Sequence, residues 1–449
     1  MGILFGTDGI RGVANTDPMT AEMALRVGRA LAVLFAPSDG APFVIGRDTR
    51  ISGDMLAHAL AAGICSMGGN VAMAGVLPTP GVAHLTRAAK GAAGIVVSAS
   101  HNPFQDNGLK IFTGDGYKLS DVSEAEIEAL VLKADLAARA ESIQTTGRVR
   151  PVPDAGQRYV NFLIATAPSG DFLSGRRIVL DCANGATSEV APRLFSALGA
   201  AVTTLFNEPD GRNINAGCGS QHPETLARQV VAEAADIGLA FDGDGDRLIA
   251  VDEKGEPLTG DQVLAVCAKG LQAAGRLKGG AVVSTVMSNM GLEKALAELG
   301  IAHHSAAVGD RQVLEKMRAC GAVVGGEDSG HMIFLEDHTT GDGLLAALKL
   351  LEVVQSEGKP LSRLRRVMTV FPQLTLNVAV RDKPPIETEP AISQAIRAAE
   401  AVLNGRGRVL VRYSGTQALC RVMVEAPSRE ETERLCRQIA DVVRGRLGA

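Results

Sequence analysis

Short runs of apolar, mainly β-branched residues alternate with longer stretches of helical periodicity along most of the chain. The short runs predict buried strands at 43–45, 71–73, 95–97, 178–180 and 239–241. The periodic stretches predict helices such as Ala21–Leu34 and Glu224–Ala235. A second series of the same kind follows, with strands at 281–285 and 323–324 and helices at 292–299 and 343–354. Strands alternating with helices in this way are typical of α/β layers.

The last part of the chain has a different pattern. An alternating strand at 371–380 ends before Pro384-Pro385, and a helix is predicted at 390–403. Strands at 408–412 and 421–425 and a closing helix at 429–447 then predict a small α+β unit.

Three candidate linkers divide the sequence into four domains. They are Gly147–Pro153, Lys254–Pro257 and Arg363–Met368. We therefore predict domains at 1–150, 151–253, 254–367 and 368–449. The fold class expected is α/β, with three similar α/β domains containing mixed sheets and a smaller C-terminal α+β domain.

Composition narrows the class of partner. The net charge of -5, the 3% of aromatic residues and the absence of Trp argue against a nucleic-acid binder. The uncharged stretch Met55–Thr86 is broken by Gly68-Gly69-Asn70 and Pro78-Thr79-Pro80, so it predicts a helix, a turn and a strand rather than a membrane span. Seven cysteines without a Cys-x-x-Cys pair, and no targeting segment, predict a cytoplasmic protein.

Two loops at strand ends carry candidate phosphoryl chemistry. Ser98-Ala99-Ser100-His101-Asn102-Pro103 follows the predicted strand at 95–97, and Lys110 lies shortly after it. Such a loop presents a hydroxyl for acyl or phosphoryl transfer, or it is an Asn-Pro turn. Asp242-Gly243-Asp244-Gly245-Asp246-Arg247 lies between two predicted strands, and its alternate carboxylates suit Mg²⁺. The alternative is a solvated acidic turn, and an EF-hand is excluded because Arg247 occupies the position that needs Gly.

Two further loops suit a polar ligand. Gly326-Glu327-Asp328-Ser329-Gly330-His331 offers groups for sugar hydroxyls, or it is a capped turn. Arg412-Tyr413-Ser414-Gly415-Thr416, with Arg421 beyond it, offers a phosphate cradle or an ordinary hairpin turn. Weaker candidates are the charged segment 47–50, Cys218, and His303-His304.

The order of these four loops, one in each predicted domain, resembles the alpha-D-phosphohexomutase superfamily, in which four domains each give a loop to a central cleft. The likeness extends from Phe5-Gly6-Thr7-Asp8-Gly9-Ile10-Arg11-Gly12 to Glu425. Within the superfamily the chain is most similar to bacterial enzymes that act on glucosamine phosphates. The segments that carry this are 181–186, 213–215, 218–220, 308–311 and 371–373.

The resemblance implies roles for individual residues. Ser100 would carry the phosphoryl group and join Asp242, Asp244 and Asp246 as a Mg²⁺ ligand. Catalytic residues would be Ser100, His101, Lys110 and Arg247. Substrate would bind to Glu327, Ser329, Arg412, Ser414, Gly415, Thr416 and Arg421. It also implies a hexose 1,6-bisphosphate intermediate and activator, a phosphosugar substrate and a homodimer, with neither nucleic acid nor membrane as partner.

The sequence departs from the superfamily pattern at four positions near these loops. Asp328 stands in place of Gln, Gln417 in place of Glu, Gln221 in place of Thr and Gln312 in place of Tyr. We predict that the extra carboxylate of Asp328 affects the choice between amino and hydroxyl sugars. The alternatives are a phosphoglucomutase or phosphomannomutase on the same fold, an Asp-nucleophile phosphatase, and a non-catalytic phosphosugar-binding protein.

Overall fold

A six-stranded mixed sheet organises the first part of the chain in the computed structural model, which describes residues 4–6, 8–35, 40–168, 171–414 and 418–449. Its strands run in the order β1-β5-β4-β2-β3-β6; β5 is antiparallel to both of its neighbours, β1 and β4, and the other neighbouring strands are parallel. The strands are β1 (Ile10–Val13), β2 (Phe43–Arg47), β3 (Val71–Val76), β4 (Ala93–Val97), β5 (Asp106–Thr113) and β6 (Val149–Pro151). The helices are α1 (Ala21–Phe35), α2 (Gly53–Ser66), α3 (Thr79–Ala88), α4 (Asp121–Lys133) and α5 (Leu136–Glu141).

The uncharged stretch Met55–Thr86 lies within this layer. It forms most of α2, all of β3 and most of α3, so the expected helix, turn and strand are joined by a second helix. The proline pair does not end an element: Pro78 caps α3 and Pro80 lies in its first turn, where a missing N–H costs nothing. Among the described residues, no helix is long and apolar enough to cross a membrane.

A four-stranded mixed sheet follows, in the order β10-β9-β7-β8. Strands β8, β7 and β9 are parallel, and β10 returns antiparallel to β9 as a hairpin. Helix α8 ends at Ala232, three residues before the predicted end. The elements are α6 (Ala155–Ala165), β7 (Arg177–Asp181), α7 (Thr187–Ala197), β8 (Ala201–Leu205), α8 (Glu224–Ala232), β9 (Ile237–Phe241) and β10 (Leu248–Asp252).

The third sheet repeats this arrangement in the order β12-β11-β13-β14, with only β14 antiparallel. Strands β12 and β14 and helices α9, α11 and α13 were not predicted; β12 contains the polar pair His303-His304, and α11 lacks a clear apolar period. The elements are α9 (Gly260–Ala273), β11 (Ala281–Thr285), α10 (Met290–Glu298), β12 (Ala302–Ala306), α11 (Asp310–Cys320), β13 (Val324–Gly326), β14 (Met332–Phe334), α12 (Gly343–Glu357) and α13 (Leu361–Leu364).

The C-terminal elements form an antiparallel sheet in the order β15-β17-β16, with two helices. They are β15 (Gln373–Ala379), α14 (Pro390–Leu403), β16 (Arg408–Tyr413), β17 (Leu419–Glu425) and α15 (Arg429–Leu447). The predicted fold class of three mixed α/β domains and a smaller C-terminal domain is therefore confirmed.

The chain divides into two compact units. Unit 1 contains Met1–Val286 and Ala302–Arg366, and unit 2 contains Met287–Ile301 and Val367–Ala449. Helix α10 therefore belongs with the C-terminal elements rather than with the third sheet. The boundaries at 150, 253 and 367 remain predictions.

Candidate active site

Ser100 lies directly beyond β4, buried, with a backbone φ of 53°. Residues other than Gly rarely adopt this left-handed conformation, which is concentrated at functional sites. The Ser100 Oγ donates a hydrogen bond of 2.5 Å to Asp242 Oδ2. Nδ1 of His101 lies 3.3 Å from Ser100 Oγ. Burial and the charges of Arg247 and Arg11 lower the pKa of His101 to about 4, so its imidazole is neutral at physiological pH.

Asp242, Asp244 and Asp246 lie in the tight turn between β9 and β10, and all three are buried. Gly243 lets this turn touch the serine loop, because a Cβ there would stand 2.7 Å from the Ser100 carbonyl oxygen. Burial excludes a solvated acidic turn, and the strands on either side agree with the rejection of an EF-hand.

The three carboxylates fit a divalent cation. They can each offer one oxygen within 4.8 Å of the others. Oδ1 of Asp244 and Oδ1 of Asp246 are buried and have no hydrogen-bond partner in the described part of the chain. Burial, followed by the charges of Asp246 and Asp244, raises the pKa of Asp242 well above its ordinary value. Buried oxygens left open in a hard oxygen-donor set are what Mg²⁺ binding requires.

Lys110 reaches this cluster from β5. Its Nζ donates to Asp244 Oδ2 at 2.8 Å and to Asp246 Oδ2 at 3.0 Å, which leaves both Oδ1 atoms open. Burial by itself would lower the pKa of Lys110, but Asp244, Asp246 and Asp8 outweigh it and hold that pKa well above its ordinary value. Lys110 therefore stays positively charged and contacts the Oδ2 atoms of Asp244 and Asp246.

His331 faces the same cluster from the third sheet and was not among the predicted site residues. Its Nδ1 lies 3.7 Å from Asp246 Oδ2 and its Nε2 lies 3.5 Å from Asp310 Oδ2. Burial opposes protonation, yet the neighbouring Asp246 and Asp310 raise the pKa of His331 above its ordinary value. The signal was available, since His331 ends the loop that supplied Glu327 and Ser329.

Further ion pairs surround these groups. Lys118 Nζ pairs with Asp8 Oδ1 at 2.6 Å and with Asp310, and Asp8 also pairs with Arg11. Asp8 and Arg11 stand in the segment that opens the superfamily resemblance, whereas nothing around Lys118 in the sequence indicates a site. Together the charges form a continuous network from the first sheet to the third.

The side chains of Glu327 and Asp328, in the predicted sugar loop, bond to backbone amides rather than to the charged groups described above. Ser329 is exposed, and Glu327 Oε1 accepts a hydrogen bond of 3.1 Å from the Gly309 amide. Asp328 Oδ1 accepts a hydrogen bond of 3.3 Å from the Asp261 amide at the start of α9, so its carboxylate faces the positive end of a helix. Of the other departures in unit 1, Gln221 is exposed and Gln312 is half-buried in α11.

Arg247 directly follows the acidic turn. Its backbone amide donates to Asp242 Oδ1 at 3.2 Å, and its side-chain Nε lies 3.8 Å from Asp246 Oδ1. That Nε is buried without a hydrogen-bond partner among the described residues. The structure therefore brings Ser100, His101, Lys110, Arg247 and the three aspartates together in unit 1.

Arg412 and Arg421 form a second candidate site, in unit 2. They lie directly opposite each other on β16 and β17, which places both side chains on one face of the sheet. Each Nε is buried and lacks a hydrogen-bond partner within the residues that the structure describes. Burial and the charge of Arg421 lower the pKa of Arg412. Ser414 lies beside them, while Gly415, Thr416 and Gln417 fall outside the described residues.

The weaker candidates, which are Cys218, His303 and the segment 47–50, make contacts that stabilise the fold. Cys218 is buried, and burial with the charge of Asp181 raises the pKa of its thiol to about 12, which makes it unreactive. His303 Nε2 lies 2.8 Å from Ser284 Oγ on the neighbouring strand. Throughout the described ranges, the aspartate turn is the only cluster able to hold a metal. The segment 47–50 contains a fully buried ion pair between Asp48 and Arg50.

Comparison with protein families matches one family along the chain. Its members are described as phosphoglucomutase/phosphomannomutase, and α/β/α domains I, II and III match residues 2–138, 157–255 and 259–371. The C-terminal domain of the family matches residues 376–442.

Individual relatives are similar over their whole length. A phosphoglucosamine mutase of Syntrophus aciditrophicus is 56% identical over 449 residues, covering 100% of both chains. The crystal structure of a phosphoglucomutase/phosphomannomutase family protein of Burkholderia thailandensis has a TM-score of 0.80 at 26% identity, covering 98% of this chain and 97% of that one. An Aspergillus fumigatus N-acetylphosphoglucosamine mutase, solved with GlcNAc-6P and magnesium, has a TM-score of 0.65 at 18% identity, covering 99% and 96%, and so shows the fold alone.

Proposed function

The chain belongs to the phosphoglucomutase/phosphomannomutase family of the alpha-D-phosphohexomutase superfamily, and on that premise we propose that it is a phosphoglucosamine mutase. It would interconvert glucosamine 6-phosphate and glucosamine 1-phosphate through a phosphoserine at Ser100. The observation that carries the proposal is the Ser100 hydroxyl, which is hydrogen-bonded to Asp242 beside two carboxylate oxygens without partners.

Magnesium is the cofactor that this donor set suits. Asp242, Asp244 and Asp246 would hold the ion, with the phosphoserine as a further oxygen donor. Mg²⁺ bound there would neutralise negative charge on the phosphoryl group that is transferred. Lys110 adds positive charge from the outer side of Asp244 and Asp246, and Arg247 lies beside the same turn.

Transfer to the sugar breaks the bond between phosphorus and Ser100 Oγ and forms a bond from phosphorus to the sugar hydroxyl oxygen. The hydroxyl proton ends on Ser100 Oγ, where Asp242 Oδ2 accepts its hydrogen bond. The product of this step is glucosamine 1,6-bisphosphate. It must turn around and return its other phosphoryl group to Ser100, so a trace of hexose 1,6-bisphosphate would prime the enzyme.

The arginine pair suits the phosphate that is not being transferred. Arg412 and Arg421 place two positive charges side by side, with neither paired to a carboxylate in the described part of the chain. A phosphate dianion can accept from both guanidinium groups, which relieves their mutual repulsion. We place Ser414, Gly415 and Thr416 in this site, and Glu327 and Ser329 at the sugar hydroxyls.

The amino sugar is supported by the relative from Syntrophus aciditrophicus, which is named for that activity. For the rest we propose a homodimer in the cytoplasm, a compartment supported by seven free thiols. Neither nucleic acid nor membrane is proposed as a partner.

A ³¹P NMR time course tests the function. The purified protein, with Mg²⁺ and a trace of hexose 1,6-bisphosphate, is given glucosamine 6-phosphate, glucose 6-phosphate or mannose 6-phosphate. We expect a 1-phosphate signal that forms fastest from glucosamine and disappears in Ser100→Ala.

The other outcomes separate the alternatives. Faster turnover of glucose or mannose would make the protein a phosphoglucomutase or phosphomannomutase. Inorganic phosphate released by Ser100→Ala as fast as by the wild type would point to an Asp-nucleophile phosphatase. No turnover of any sugar would indicate a binding protein.

A further inference from the structure

Four buried or half-buried side chains hold the backbone of Ser100 from both sides. We propose that Asp48, Arg50, Ser98 and Asn215, here called the serine frame, are positioning residues that aim the Ser100 oxygen for phosphoryl transfer. None of the four belongs to the catalytic or substrate-binding residues described above. The inference rests on the proposed function and adds to it the origin of the unusual Ser100 conformation.

Arg50 is the centre of the frame. A guanidinium has five N–H donors, and every one is used here. Nε donates to Asp48 Oδ2 at 2.8 Å, and the two terminal nitrogens donate to backbone carbonyls of the serine loop. These carbonyls belong to Ser100, Asn102, Pro103 and Asp106. Because the fork is planar and the side chain is fully buried, it fixes the loop at several points at once.

Asn215, in the loop between β8 and α8, bonds to two of the same carbonyls. Its Nδ2 donates to the Ser100 oxygen at 2.9 Å and to the Asn102 oxygen at 3.0 Å. Asn215 itself has a φ of 58°, which Asn tolerates better than most residues. The Ser100 carbonyl is therefore held between Arg50, in the turn that follows β2, and Asn215, in the loop that follows β8, next to the acidic turn.

The amide side of Ser100 is held as well. Its N–H donates to Ser98 Oγ at 2.9 Å, and that hydroxyl donates to Asp48 Oδ2 at 2.6 Å. Asp48 Oδ2 is also the acceptor of Arg50 Nε, so one carboxylate links both ends of the frame. With both flanking peptide groups fixed, Ser100 keeps its left-handed φ and its Oγ points at Asp242.

The expected signature is a loss of turnover without a loss of substrate binding. Phosphoryl transfer depends on alignment, and a displacement of about 1 Å can cost about 100-fold in rate. In the described part of the chain, the hydrogen bonds of these four side chains go to one another and to residues 98–106, and none of them reaches Glu327 or Ser329. Variants should therefore lower kcat while KM for the sugar phosphate stays near the wild-type value.

Two variants test the frame. Arg50→Lys keeps the charge opposite Asp48 but removes the fork, and we expect kcat to fall about 100-fold. Asn215→Gly keeps the left-handed backbone and removes only the amide, and we expect a fall of about 10-fold. Each rate is divided by the phosphorylated fraction of Ser100, which is measured by intact mass spectrometry.

The matched controls are Arg193→Lys and Asn213→Gly. Arg193 pairs with Glu189 on the exposed face of α7, and the Asn213 side chain bonds within its own loop. Both controls should keep wild-type kcat. Amide hydrogen exchange of the 98–106 segment adds a measurement that does not need activity, and it should be faster in the two frame variants alone.

The outcomes separate the inference from the function. If the wild-type protein does not turn over any sugar phosphate, the proposed function fails, and exchange in the 98–106 segment alone decides about the frame. If the wild type is active and both frame variants keep kcat within about 2-fold, the inference is wrong. A lower melting temperature with unchanged kcat would also overturn it, since the frame would then only stabilise the fold.

Discussion

The serine and aspartate site of unit 1 and the arginine pair of unit 2 differ in how their charges are compensated. In unit 1, charges of both signs alternate, and Lys110 lies between Asp244 and Asp246. What remains open is two carboxylate oxygens. In unit 2, Arg412 and Arg421 have the same sign and lie side by side, and what remains open is two N–H donors.

The difference identifies the sign of the ligand that each site accepts. A buried polar atom without a partner is costly, so such atoms are retained where a ligand completes them. Open carboxylate oxygens call for a cation, and open guanidinium donors call for an anion. Lys110 compensates part of the charge in the first region, whereas no carboxylate among the described residues pairs with the two arginines of the second.

The largest effect should come from removing one open oxygen at the cation site. Asp244→Asn replaces a carboxylate by an amide within the proposed metal ligands. We expect kcat to fall at least about 1,000-fold, since several kcal/mol of charge stabilisation depends on the ion. Binding of Mn²⁺, followed by electron paramagnetic resonance, should weaken in parallel.

The control for that change is Asp115→Asn on an exposed loop. It should leave both kcat and Mn²⁺ binding at wild-type values. Unchanged Mn²⁺ affinity in Asp244→Asn would show that the aspartate turn is not the metal site.

The anion site should respond in a different parameter. Arg421→Gln removes one of the two like charges, and kcat/KM for the sugar phosphate should fall about 10- to 100-fold, because a charge-assisted hydrogen bond contributes about 1.5–3 kcal/mol. Steady-state kinetics would measure this, with Arg406→Gln, more than half exposed, as the control. Mn²⁺ affinity should not change. A fall in Mn²⁺ affinity equal to that of Asp244→Asn would erase the contrast between the sites.

The surroundings of His338 are a third region, with no proposed ligand, and there the burial of a titratable group predicts how stability depends on pH. His338 is buried, its ring lies edge-on to Phe162, and burial lowers its pKa to about 3. The unfolded state binds the proton below about pH 6.5 and the folded state does not, so stability falls as pH drops through this window. Asp342, whose pKa burial raises to about 6, acts in the opposite direction there.

Between pH 7 and pH 5 the wild type should lose about 2 kcal/mol through His338, at about 1.4 kcal/mol per pH unit below 6.5. The melting temperature of His338→Gln should fall less over the same range, because Gln does not titrate. Calorimetry at both pH values measures the difference. Equal slopes for the two proteins would contradict a neutral buried His338.

The smallest effect concerns a carboxylate outside both sites. Asp328→Gln should change the ratio of kcat/KM for glucosamine and glucose phosphates by a few-fold. It should also lower the melting temperature slightly, because a carboxylate near a helix N-terminus contributes about 0.3–1 kcal/mol. An unchanged ratio would show that Asp328 does not affect the choice of sugar and only stabilises the start of α9.

Local pattern was enough for several of the elements that build the two sites, although β5, which carries Lys110, was not predicted. The buried run at 95–97 lies in β4, and the strands around Asp242–Asp246 are β9 and β10. Helices α14 and α15 begin and end where their periodicity predicts. These features follow from side-chain periods of about 3.6 and 2 residues, which are readable in any short window.

The sequence by itself determined the fold class, the order of the four loops and the residue types in them, since each depends on neighbours along the chain. Only the tertiary structure decided which charges meet. Lys118 joins Asp8 and Asp310, and Arg50 reaches the carbonyl of Ser100, across separations that no local pattern encodes. Pairing of buried charges depends on distance in space and on exclusion of water, and both arise only when the sheets pack together.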